Sequence, residues 1–368
     1  MNEYLKVYDM KITVKSPIHI GSSQILTKKE YLNDEKDSVS VIDLNKMFSY
    51  IIKKNLLNEY KKYVLTPFKS LNQWIHDMQI PKTEYDKWKK YKLKKGDAFL
   101  SNNQHEKSEK SINCFIKDAY GMPFIPGSSL KGMIKTALIV YEVEKNKKRF
   151  EIDKNKIRNS IFQENNYRQY YLASVNNDFQ AQIFNTLEKD KKNKKRAINS
   201  NMSGLIIGDS NPITTNCLSL YQKIDYRKNG EEKKINLLRE CLRPETEIFF
   251  TISLDTKIFP YTIEEIMEAL DTFNEEIYYN YHSKFNKGSL DKGTIWLGGG
   301  AGFITKTILH PLFKKDATKI IKEVFIKTKN KGNFFTKDIL PYVTKCTKDK
   351  RKLVDMGRGK IEILKKDS

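Results

Sequence analysis

The sequence predicts an α+β fold, and three observations carry that expectation. Period-two alternation of β-branched residues opens and closes the chain, at 4–20 and around Ile361 and Ile363. Apolar residues at helical spacing recur between them, most clearly at 130–141 and 263–281. Strand–helix–strand units therefore arise twice, in about 1–150 and 200–368, separated by long insertions. That mixed order is unlike the strict alternation of a doubly wound parallel sheet. Two ferredoxin-like units with helical insertions and a glycine-rich loop fit it, and 368 residues suffice for two or three domains.

The elements follow from local pattern. Leu5, Val7, Ile12, Val14, Ile18 and Ile20 alternate, and Pro17 bends or ends the regular part of that first strand. Gly21-Ser22-Ser23 reads as a turn. A short strand at Ser38–Ile42 precedes Asp43, an N-cap for a helix at Leu44–Asn55. Residues 60–110, rich in Lys and Trp/Tyr, read as an insertion of short helices. Ser128 or Ser129 is expected to cap a helix whose apolar face is Leu130, Met133, Ile134, Ala137, Leu138 and Tyr141. The Lys- and Asn-rich stretch 145–200 predicts a mobile basic loop. Ser203–Asp209 reads as a short buried strand and Glu247–Leu254 as another. Thr262 should cap an amphipathic helix with Ile263, Ile266, Leu270, Phe273, Ile277 and Tyr281 inside and an acidic outer face. A glycine-rich loop at 297–303, a helix at about 316–327 and a terminal strand complete the chain. The expected division is 1–150, a basic insertion at 151–200, and 201–368.

Composition narrows the function. Lys+Arg is 67 against Asp+Glu 45, a formal net charge of +22, which makes a polyanion the first partner to consider. Of the 67, 58 are Lys, the bias an AT-rich genome would give, so the surplus alone proves little. It is uneven: residues 301–368 hold 18 basic and 7 acidic side chains, residues 251–300 hold 4 and 8. The four cysteines (Cys114, Cys217, Cys241, Cys346) lie far apart and the five histidines are scattered, so no metal and no cofactor is expected. The start of the sequence lacks an apolar signal core, and no run of about 18 apolar residues occurs. A cytoplasmic protein with reduced thiols and no membrane partner is expected.

Two segments have the chemistry to hold phosphate. In Leu297-Gly298-Gly299-Gly300-Ala301-Gly302-Phe303 the spacing fits neither a P-loop nor a dinucleotide fingerprint. Glycine-rich backbone can still approach a phosphate closely, with Lys306 nearby to neutralise charge. The other reading is a tight hairpin. In Ile125-Pro126-Gly127-Ser128-Ser129-Leu130-Lys131-Gly132, hydroxyls and backbone N–H groups sit at a helix N-terminus, and Lys131 and Lys135 share one face. The other reading is an ordinary capped helix. A third segment, His19 to Ser23 with Gly21 and Ser22, offers a lone histidine without a sequence partner, more often structural than catalytic. Asp34 and Asp37 read as solvated loop carboxylates.

Taken together, HIGSS after the first strand, IPGSSLKGMIKTAL opening a helix, GLIIGDS and WLGGGAGFITKT resemble RAMP-superfamily proteins of CRISPR systems, and among them subunits of the type III-A (Csm) effector complex. LKVYDMKITVKSPIHIGSS with KKEYL after it and ECLRPETEIFFTISLD add to the likeness, in short blocks from about residue 5 to 363. IPGSSLKG is shared across the superfamily; LGGGAGFITKT is the most specific block. The resemblance implies ferredoxin-like (RRM-like) domains that grip RNA largely through backbone contacts. It implies a place at the 3′ end of the CRISPR RNA (crRNA), and a role in its maturation that recruits host nucleases without chemistry of its own. The partners it implies are crRNA, the backbone RAMP subunit and the small helical subunit of the same complex. The backbone subunit cuts target RNA with a loop aspartate, but KKEYLNDEKD does not match that pattern, so the activity does not carry over to Asp34 or Asp37. The competing expectation is a RAMP endoribonuclease acting on repeat RNA, with His19 as acid or base or Asp34 as the acidic group.

Overall fold

A computed structural model describes residues 4–99, 110–163, 177–326 and 338–364. Its strands are β1 (Leu5–Val14), β2 (Gly21–Leu26), β3 (Tyr31–Leu32), β4 (Ser38–Ile42), β5 (Lys89–Lys94), β6 (Ser111–Phe115) and β7 (Leu205–Ile207). They continue with β8 (Leu218–Arg227), β9 (Glu232–Leu242), β10 (Glu247–Asp255), β11 (Thr294–Trp296), β12 (Val343–Asp349), β13 (Lys352–Asp355) and β14 (Arg358–Leu364). The helices are α1 (Leu44–Lys53), α2 (Leu57–Leu65), α3 (Leu71–Asp77), α4 (Lys82–Tyr85), α5 (Gly127–Lys145) and α6 (Lys147–Gln163). After them come α7 (177–184), α8 (Ile263–Asn280), α9 (Leu309–Phe313) and α10 (Ala317–Ile326). The protein is mixed α+β, as its patterning predicts.

Two sheets organise it. The first has the order β11–β14–β1–β10–β7, every neighbouring pair antiparallel. β1 is its centre: Met10, Ile12 and Val14 are buried, and Ile12 faces Ile248 on one side and Ile361 on the other. Packing α5 and α8 on this sheet completes the core. α8 starts at a capping box, with Thr262 and Glu265 bonding each other's backbone N–H, and turns Ile263, Ile266, Leu270, Phe273 and Ile277 inward. Each such side chain contributes about 1.5–3 kcal/mol on burial. Its acidic face is partly spoken for: Glu268 accepts the Tyr141 hydroxyl at 2.6 Å and Glu276 pairs with Lys314 at 3.1 Å. α5 is buried on nearly all sides, Ile139, Val140 and Val143 included, which makes it a central rather than a surface helix.

The second sheet runs β2–β6–β9–β8–β5–β4–β3, with β12 added beside β8 and β13 beside β12. Here the structure departs from several expectations. Gly21, Ser22 and Ser23 open β2 instead of forming a turn, because β6 supplies the partner, Gly21 facing Phe115. The insertion at 60–110 holds not only α2–α4 but also β5, which reads Lys-Lys-Tyr-Lys-Leu-Lys and pairs with β4. The basic stretch 145–200 is helical in α6 and α7, where Phe150, Phe179 and Phe184 are buried and supply the apolar anchor that the charge run hides. β7 is an edge strand with Leu205 buried and Ile206 exposed, so only part of Ser203–Asp209 is buried. Hydrogen bonding also crosses the expected domain boundaries: β1 pairs with β10 and β14, and β6 with β9. No described helix is long and apolar enough to cross a membrane.

Candidate nucleic-acid interface

The structure brings HIGSS and the glycine-rich loop into contact. Beyond β1 the Pro17 carbonyl accepts from Gly357 N–H at 2.9 Å, and the His19 carbonyl accepts from Gly299 N–H at 2.8 Å. The loop is clamped from the other side as well, Leu297 N–H donating to the Gly357 carbonyl at 2.7 Å. This explains the glycine at 298. Its φ is +83°, and a Cβ there would lie 2.1 Å from the His19 carbonyl oxygen. The close approach foreseen for a phosphate is therefore used first by the protein's own backbone. Gly299 is exposed, Gly302 half-buried and Gly300 buried against Met356. Gly21 is exposed, a Cβ there would lie 3.1 Å from His19 Nε2, and Ser22 donates to the Cys114 carbonyl at 3.3 Å.

His19 is a positioned, neutral side chain. Nδ1 lies 2.7 Å from the Glu240 carbonyl oxygen, and burial pushes its pKa down to about 4, with Arg239 and Lys117 lowering it further against the pull of that hydrogen bond. At neutral pH it carries no proton to donate as an imidazolium. The Glu240 carboxylate is fully buried beneath it. It accepts the Tyr91 hydroxyl at 2.6 Å and the Phe115 N–H at 2.8 Å, and pairs with the Lys117 ammonium. Burial and the adjacent Glu240 charge push the Tyr91 phenol well above its usual range. These partners satisfy the buried carboxylate and hold β6, β9 and β5 together under the site. Asp34 lies in the other direction along the sheet, paired with Lys89 at 3.0 Å.

The second segment is built differently from expectation. Neither Ser128 nor Ser129 is the N-cap; α5 begins at Gly127 with Pro126 in the cap position, and the first N–H is satisfied by Asp209 Oδ1 at 2.8 Å. The helix end rests on the backbone after β7: a Cβ on Gly127 would lie 2.2 Å from the Ile207 carbonyl oxygen. Ser128 remains exposed and Ser129 half-buried in the first turn. Lys131 donates to the Leu205 carbonyl at 2.5 Å, and Lys135 lies over the Phe184 ring at 6.0 Å. Burial lowers the pKa of both. The two phosphate candidates thus sit at one end of the first sheet, where β1 and β7 finish, but at its opposite edges. Four inter-strand steps of about 4.8 Å separate those edges.

Lys306 is exposed at the far end of the glycine loop, where its surroundings and then the Arg239 charge lower its pKa. Arg239, Glu240, Lys117 and Tyr91 are absent from the sequence-derived site. Their only signal is one charged pair, Arg239-Glu240, inside the alternating run of β9.

The model of the RAMP superfamily matches residues 11–305, and the chain belongs to that superfamily. Over almost its full length it is similar to curated Csm5 proteins. It is 25% identical to the CRISPR system Cms protein Csm5 of Streptococcus thermophilus, covering 99% of this chain and 94% of that one. It is 24% identical to the protein of the same name from Mycobacterium tuberculosis, covering 99% of each. Among solved structures, a chain of the cryo-EM Csm–crRNA–target RNA ternary complex of a type III-A CRISPR-Cas system superposes with a TM-score of 0.70 at 20% identity, over 96% of this chain and all of that one. The crystal structure of T. onnurineus Csm5 does so with a TM-score of 0.63 at 18% identity, over 95% and 99%.

Proposed function

We propose that this chain is a crRNA-binding subunit of a type III-A Csm effector complex, holding RNA without chemistry of its own. Its place in that reading is the 3′ end of the crRNA, beside the backbone RAMP subunit and the small helical subunit. There it supports crRNA maturation by recruiting host nucleases. The observation that carries the reading is the full-length similarity to Csm5 proteins combined with the meeting of HIGSS and LGGGAGFITKT around His19. The strand order β14–β1–β10–β7, with α5 between β1 and β7 and α8 between β10 and β14, supports one ferredoxin-like unit assembled from both halves of the chain. A single strand of RNA crossing that end of the sheet would meet Gly21, Ser22, Gly298, Gly299, Gly302 and Lys306 at one edge, with Gly300 buried behind them against Met356. At the other it would meet Ser128 and Ser129 in the first turn of α5, flanked by Lys131 and Lys135, while Gly127 is buried and bonded to Asp209. Backbone and ammonium contacts of this kind position RNA without reading its sequence. The depressed pKa and fixed carbonyl partner of His19 speak against a general-acid role.

The test is co-purification of the assembled complex carrying Lys306→Glu together with Ser128→Glu. Reduced crRNA occupancy, with a shifted length distribution of the RNA retained, is expected. Wild-type occupancy and lengths would overturn the reading of both edges.

A further inference from the structure

Arg239 lies on β9 between two neighbours in register, Asn113 of β6 and Tyr221 of β8. In-register residues project from the same face, so these three side chains stand in a row on the side opposite the buried Glu240. The row continues to Cys241, which packs with Tyr221 and Met356, and Met356 is the residue against which Gly300 of the glycine loop rests. The guanidinium is half-buried, and its Nε and Nη1 are shielded from solvent without a hydrogen-bond partner. Even the adjacent Asn113 Oδ1 is buried and unpaired. Asp225, the carboxylate whose charge reaches the guanidinium, is itself paired with Lys345 at 2.8 Å.

Three nitrogen-bearing side chains converge on this point, two of them ammonium groups. The neutral His19 and the Lys306 and Lys223 ammonium groups each feel the positive charge of Arg239. They come from HIGSS, the glycine loop and β8. Lys345 adds a further charge beside Lys223, and its stem lies 3.8 Å from a Cβ position on Gly302. A buried guanidinium with unmade hydrogen bonds costs stability, more so among like charges. An anion would remove both costs, and a planar fork of N–H donors matches two phosphate oxygens.

We propose that Arg239, flanked by Lys306 and Lys223, is a phosphate-binding site of this subunit, and that its occupant is a phosphate group of RNA. The inference deepens the RNA-holding reading above and rests on it. The phosphate is either internal to the strand or a terminal one, and the chemistry of the site is the same for both.

The test measures binding of the full-length chain to a fluorescent single-stranded RNA, made with a 3′-hydroxyl or a 3′-phosphate, across a salt titration. Arg239→Gln is expected to weaken binding about tenfold and to reduce the slope of log K against log salt by about 0.7. Arg239→Lys, which keeps the charge and loses the fork, should fall between. Without RNA, Arg239→Gln should leave Tm unchanged or raise it, because an unsatisfied buried charge is removed; a residue retained for folding would lower it. A defect equal on both RNAs assigns an internal phosphate, and one confined to the 3′-phosphate RNA assigns the terminus. If the wild-type chain binds RNA and Arg239→Gln binds it equally well with the same slope, the site is refuted and the RNA-holding reading stands. If the wild-type chain binds neither RNA, both fall.

Discussion

His19 and His282 show how burial sets charge at the level of single residues. His282 is stacked face to face on Trp296, with ring centroids 4.3 Å apart, and both of its ring nitrogens lack hydrogen-bond partners. Burial pushes its pKa down to about 4, as it does for His19, and lowers that of His310. Above about pH 6.5 these rings are neutral in the folded and unfolded chain alike and contribute no pH dependence. As pH falls from 6.5 towards 4, the unfolded chain takes up protons that the folded chain refuses, so stability drops across that window and levels off below it. Urea unfolding at pH 7 and pH 4.5 should show a loss on the order of 3 kcal/mol for each of the two histidines. His282→Phe should reduce the difference. An unchanged midpoint between those pH values would mean the rings are solvated. The buried thiols follow the same physics in the other direction: burial pushes Cys114 and Cys346 up to about 12, so they stay protonated.

At the scale of elements, legibility depended on whether the partner that shapes a segment is local. β1, α1, α5, α8 and β14 are visible in the sequence because alternation, helical spacing and caps such as Asp43 and Thr262 act within a few residues. β2 opens with Gly21-Ser22-Ser23, residues of low strand propensity, and its state is decided by β6 about 90 residues away. α6 was masked by its own lysines. The glycine loop shows the same limit at the site. Its composition was readable, but its contact with His19 joins segments about 280 residues apart, which no local pattern encodes. This makes the loop sensitive to substitution for reasons of folding as well as binding. Gly298→Ala adds a Cβ into the His19 carbonyl at a positive φ and should cost about 3 kcal/mol or more, read as a lowered urea midpoint. Gly302→Ala shares the positive φ but meets only the Lys345 stem at 3.8 Å, and should cost about 1–2 kcal/mol. Equal losses at the two positions would mean that backbone strain, not the clash with His19, decides.

For the whole molecule, the central fact is that both sheets draw strands from both halves of the chain. The expected split near residues 150 and 200 was inferred from insertions that look like linkers, yet β6 and β9 pair across it and the main core includes Ile12, Leu138, Leu270 and Ile361 together. A fragment ending at residue 200 would lack every strand that borders β1. It should give no cooperative unfolding transition by circular dichroism, whereas the full chain should give a single dominant one. A fragment with a sharp transition of its own would support the two-domain division.

The placement of β1 between β10 and β14 also sets a timetable. Asp9 bonds opposite Leu364, so at synthesis rates of about 5–20 residues per second the nascent β1 waits roughly 20–70 s for its last neighbour to be made. Until β10 is made both edges of this alternating, hydrophobic strand are open, and one edge stays open until β14 arrives. The charged residues Lys6, Asp9 and Lys11 spaced along it, and Lys15 just after it, would then do a different job from the one they have in the finished sheet: they keep an unfinished chain soluble until its closing strand arrives.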